Sequence, residues 1–174
     1  MSFLSRIFGE KRQREALHPL YAAIVAAGRD PAWYRDGGVP DTIDGRFDMI
    51  STVLALVLNR LESEGEASRR ATVLLTEVFI DDMDGTVRQI GIGDQVVGKH
   101  VGRMMSALGG RLGAYRDAER DEPAFAAAIR RNVFRDSPPS EAQVALVAER
   151  LARFRAALAA APYPELMAGR LPQP

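Results

Sequence analysis

Residues 77–105 read EVFIDDMDGTVRQIGIGDQVVGKHVGRMM, and their periodicity decides the fold. Leu75, Phe79, Met83, Thr86 and Ile90 recur at steps of three and four, the spacing of one helical face. Glu77, Asp81, Asp84 and Arg88 take the opposite face, with Asp84 four residues ahead of Arg88, the favourable order for an acid–base pair. Gly91 follows the last periodic residue, and the pattern predicts it in a left-handed conformation that ends the helix. Gly93 continues the turn. Asp94 is placed to cap a second helix, whose stripe is Val97, Val101, Met104, Leu108, Leu112 and Tyr115. The stretch is a helical corner.

The same period runs outward from that corner. Upstream, Asp41, Thr42 and Asp44 are turn and cap residues ahead of a helix expected to reach Glu62. Phe47, Ile50, Leu54, Val57, Leu58 and Leu61 form its core face, and Met49, Val53 and Leu56 make much of the remainder apolar. Such a helix is either central in a bundle or turns one side to an apolar partner. Downstream, the second corner helix carries Gly98, Gly102, Gly109, Gly110 and Gly113, which predicts close approach by a neighbouring helix or a break near Gly109-Gly110. Lys99, Arg103 and Arg111 give that helix a basic side. Asp121-Glu122-Pro123 starts another helix. Ser140 and Gln143 form a capping box for the last long one, with Val144, Val147, Leu151, Phe154 and Leu158 as a narrow seam. No alternating strand pattern of useful length occurs. The fold class is all-α, a single-domain bundle of about seven helices, spanning 17–162. Residues 1–16 form an amphipathic N-terminal segment and 163–174 a loosely held C-terminal tail.

Composition narrows the function. Lys plus Arg equals Asp plus Glu, so no bulk charge favours nucleic acid. Cysteine is absent, which removes disulfides, thiolate metal sites and a Cys nucleophile. The longest apolar run, Val53 to Leu58, is far short of the roughly 18 residues of a membrane span. Near the N-terminus, Phe3, Leu4, Ile7 and Phe8 lie opposite Arg6, with Lys11, Arg12 and Arg14 following. This pattern suits weak peripheral contact with an anionic membrane.

Catalytic and metal chemistry find little support. Gly93 to Lys99 matches G-x-x-x-x-G-K, but His100 stands where a phosphate loop needs Ser or Thr, and a helix precedes it where a strand should. Asp81, Asp82 and Asp84 lack EF-hand spacing. Two isolated histidines, His18 and His100, make no triad. No catalytic residue and no metal ligand is assigned. Asp82 lies near the apolar stripe and needs a partner, for which Arg46 and then Arg88 are the candidates.

Two runs carry a family resemblance. GVPDTIDGRFDMI (38–50), continuing into Leu56-Val57-Leu58-Asn59-Arg60-Leu61, and FIDDMDGTVRQIGIGDQVVGKHVGRM (79–104) resemble the ubiquinol–cytochrome c chaperone family. So do LYAAIV (20–25) and Arg131-Asn132-Val133. The family often has His in the central helix where this chain has Val53. The resemblance implies a helical assembly factor that binds newly made cytochrome b to promote assembly of the cytochrome bc1 complex. It implies no catalysis and no cofactor. The expected partners are cytochrome b as client and, as a further candidate, a second assembly factor. The expected location is cytoplasmic and peripheral at the bacterial inner membrane, mitochondrial in eukaryotic relatives. Client binding is expected of Asp81, Asp84, Arg88 and Lys99 as a polar rim, beside a groove containing Met49, Val53 and Leu56. Asp41, Thr42, Gly45, Arg46, Phe47, Asp82, Gly91, Gly93 and Asp94 are expected to be structural. The rival readings are a small-ligand or metal-binding domain using the Asp81–Asp84/Lys99 cluster, and a scaffold that dimerises through the 144–158 seam without a client.

Overall fold

In this computed structural model the backbone is described for residues 11–89, 94–135 and 138–174, and side chains over the same ranges except 86–97 and His100. A helical turn at 11–15 leads into α1 (His18–Gly28), α2 (Pro31–Arg35) and α3 (Ile43–Glu62). A 3-10 turn (Gly65–Ser68) leads to α4 (Arg69–Gln89) and α5 (Asp94–Asp117). Then follow α6 (Glu122–Ile129), a π-helical segment (Arg130–Phe134), α7 (Glu141–Ala160) and α8 (Tyr163–Met167). The chain is an all-α bundle with no strand among the described residues. The expected left-handed Gly91, with Gly93, lies outside the described residues, as do Phe3, Leu4, Ile7 and Phe8.

The bundle is built around α3. Its stretch from Phe47 to Leu58 is buried without interruption, because α1, α4, α5, α7 and the π segment all pack on it. Gly28 lets the end of α1 press onto α3: a Cβ there would sit 2.8 Å from the Ile50 Cα. Arg60 reaches from the far end of α3 to the Leu158 and Ala161 carbonyls at 2.9 and 3.0 Å, tying α3 to the C-terminal end of α7. At the other end of α7 the Ser140–Gln143 capping box forms in both directions. Trp33 is wholly buried, donates to the Ala27 carbonyl at 2.8 Å and lies under the Arg150 guanidinium, so it belongs to the core.

Two expectations are corrected here. The glycines of α5 do not mark close helix packing or a break. The helix is continuous through Gly109-Gly110, and a Cβ at Gly98, Gly102, Gly109, Gly110 or Gly113 would meet nothing within 4 Å. They occupy the side of α5 turned away from the stripe of Met104, Leu108, Leu112 and Tyr115 that packs inward. The tail is also not loose. Leu166 is fully buried, α8 contacts α1, and Arg150 donates to the Pro174 carbonyl at 3.1 Å.

Candidate functional site

The acidic face of α4 is where the sequence places the polar rim. Asp81 is exposed and ion-paired with Arg14, which ties the 11–15 turn to α4. Asp82 is exposed and accepts from the Tyr21 hydroxyl at 2.7 Å. Burial, reinforced by that bond, pushes the Tyr21 phenol well above its ordinary range. The expected Arg46 partner is therefore corrected: Arg46 turns to Asp41, and α1 supplies the donor to Asp82 instead. Asp84 is half-buried and partnered, and Lys99 on α5 is exposed. The Arg88 side chain and the Asp94 side chain lie outside the described residues. No group of three His, Cys, Asp or Glu among the described residues could hold a metal ion.

The second cluster is the start of α3. Thr42 caps the helix by accepting from the Gly45 amide at 3.1 Å. Gly45 is sterically required, since a Cβ there would lie 2.0 Å from the Pro40 carbonyl oxygen. Arg46 bonds Asp41 at 2.7 Å, and that bond holds the Asp41 carboxyl below its usual range. Phe47 stacks on Phe79 of α4 with centroids 6.0 Å apart. Every residue of this turn except Ile43, which is 60% exposed, is thus tied to a local partner or points into a cavity.

Beneath the turn lies a polar network that the sequence reading did not find. Asp48 is 2% exposed, and its Oδ1 accepts from Arg111 and Arg135, each at 2.5 Å. Arg111, 1% exposed, also donates to the Asn132 and Ala107 carbonyls at 2.6 and 3.2 Å. Burial pushes the Asp48 carboxyl up to about 6, outweighing the pull of the two guanidiniums. The Arg111 Nε is buried without a partner among the described residues. A signal existed. Arg111 sits three after Leu108 and four before Tyr115, at core spacing, so it belongs to the inward stripe and not to the basic side of α5.

The predicted apolar groove along α3 is contradicted. Met49, Val53 and Leu56 are 0%, 0% and 2% exposed, because neighbours cover α3 on all sides. Its all-round apolar character reflects a central position, not a client face. The 144–158 seam is likewise consumed within the chain: Val144, Val147, Leu151, Phe154 and Leu158 all belong to the core, so it offers no dimer surface.

The family model described as ubiquinol-cytochrome C chaperone matches residues 35–172. A crystal structure of the Cbp3 homolog from Brucella abortus matches with a TM-score of 0.79 and 31% identity, covering 98% of this chain and 95% of that one. No curated protein sequence matches the chain significantly.

Proposed function

The chain belongs to the ubiquinol–cytochrome c chaperone family, and on that premise we propose that it binds newly made cytochrome b and promotes assembly of the cytochrome bc1 complex. The observation that carries this reading is the family match over most of the chain, joined to an end-to-end structural match with a Cbp3 homolog. Membership in a chaperone family favours binding over catalysis. Cytochrome b crosses the membrane many times, and before insertion its apolar segments have no solvent that suits them. A client-binding protein offers them apolar contact within a charged frame, the contact giving affinity and the charges orientation.

The surfaces available for this are those that the bundle does not consume. Asp81, Asp84, Arg88 and Lys99 are proposed as the polar rim on α4 and α5. With α3 buried, the apolar component has to come from elsewhere on the surface. No described helix is long and apolar enough to cross a membrane. Residues 1–14, with Phe3, Leu4, Ile7 and Phe8, are proposed to bring the body to the membrane by weak peripheral contact. The test of the function is deletion of the gene in cells that make the complex. The reading expects assembled bc1 complex and cytochrome b both to fall, and to recover with the wild-type gene. Normal levels of both would overturn it.

A further inference from the structure

A small cavity of about 220 Å³ lies where the first turn of α3 faces the middle of α5. Phe47, Met104 and Ala107 supply its apolar part, and Asp44, Arg103 and Arg135 its charged part. It lies directly over the buried network: Arg135 reaches from the lining to Asp48, and the Arg111 guanidinium stands 5.8 Å from the centre of the Phe47 ring. Among the described charged residues of the lining and the network, Arg103, Arg111 and Arg135 face Asp44 and Asp48, an excess of one positive charge.

The backbone here is also unusual. Arg135 has φ 30° and ψ −103°, and is the single non-glycine with positive φ among the described residues. It follows the π-helical segment Arg130–Phe134. Both features cost stability, and both recur where a protein positions a side chain for a partner. The strain puts the Arg135 guanidinium at the edge of the cavity, anchored through Asp48.

We propose that this cavity is a docking pocket for an acidic, apolar segment of the client, an inference that rests on the chaperone reading above. One Leu- or Phe-like side chain enters between Phe47, Met104 and Ala107. An Asp or Glu close to it in the same segment meets Arg135 and Arg103. Size and charge select this occupant. The volume is below the roughly 300 Å³ at which small-molecule pockets begin, so it takes a side chain and not a cofactor. Two rim arginines beside an aspartate fall short of the about four to eight cations that make a lipid-headgroup patch. The excess positive charge favours a carboxylate-bearing segment over a neutral one.

The test uses the full chain in cells that make the bc1 complex. The photo-crosslinking residue p-benzoylphenylalanine replaces Met104 in one strain and the exposed Arg153 on α7 in another, and cytochrome b is detected in the adducts after irradiation. The expected result is a cytochrome b adduct from position 104 and none from 153. Adding Arg103→Glu or Arg135→Glu should cut the 104 adduct about tenfold or more, the scale of a close interfacial charge pair. The melting curve of each purified variant verifies folding, and Arg103→Glu leaves the Asp48 network intact should Arg135→Glu fail to fold. A cytochrome b adduct from 153 and not from 104 would overturn the pocket while leaving the chaperone function standing. No adduct from either position, together with normal complex in the deletion strain, would overturn both. A 104 adduct insensitive to Arg103→Glu would refute the charge pairing. Binding to phosphatidylglycerol vesicles that is lost with Arg103→Glu, with no cytochrome b adduct, would assign the cavity to lipid instead.

Discussion

Arg111 donates through Nη2 to the Asp48 carboxylate at 2.5 Å, joining two helices across 63 residues of sequence with both side chains buried. The pair locks α5 to α3, and through the Asn132 carbonyl it also holds the π segment. Breaking such a pair leaves an uncompensated buried charge. Arg111→Met should therefore destabilise by about 3–5 kcal/mol, measured by urea denaturation. The double variant Asp48→Leu, Arg111→Met should regain most of that loss, since an apolar replacement of a buried pair is often neutral. A single variant as stable as wild type would contradict the network as described.

The same pair predicts a pH dependence. Asp48 is raised from 3.8 to about 6 in the folded chain. The folded state thus binds this proton more tightly than the unfolded state. Its contribution to stability is fully present below the unfolded value and is lost as pH rises through about 6. Wild type should lose roughly 2 kcal/mol relative to Asp48→Asn between about pH 4 and 7, at about 1.4 kcal/mol for each tenfold difference in proton affinity between the two states. Chemical denaturation of both proteins across that window measures it. A wild type that instead gains relative stability as pH rises would mean that the arginines, and not burial, govern this carboxylate.

Two glycine substitutions should part in sign. Gly45→Ala drives a methyl against the Pro40 carbonyl oxygen, and should destabilise by about 1–3 kcal/mol. Gly109→Ala meets open space on a continuous helix, and should stabilise by up to about 1 kcal/mol. Thermal melts of the two variants test the distinction directly. Equal losses in both would mean that the outer side of α5 is covered.

The all-α architecture was legible because the chain repeats its apolar residues at steps of three and four, and because Thr42 and Ser140 announce their helices with ordinary caps. The function class was legible through two long runs, 38–50 and 79–104, whose resemblance the comparisons bear out. The surface was less legible. Met49, Val53 and Leu56 read as spare apolar area, yet a period says which residues share a face and not how many neighbours cover it. Asp82 was given Arg46 on charge alone, whereas tertiary placement brought the Tyr21 hydroxyl across 61 residues. Arg135 could not be anticipated at all, because its role comes from a positive φ after a π turn, which no local pattern announces.

The central claim is that the chain holds unassembled cytochrome b. The most direct measurement is affinity isolation of the tagged full-length protein under mild detergent from cells pulse-labelled during synthesis of the complex, with cytochrome b identified at each chase time. The account predicts cytochrome b in the early fractions, free of the other bc1 subunits, declining as the labelled complex matures. Equal recovery of cytochrome b from an untagged control, or its absence at every time while the complex assembles normally, would contradict it.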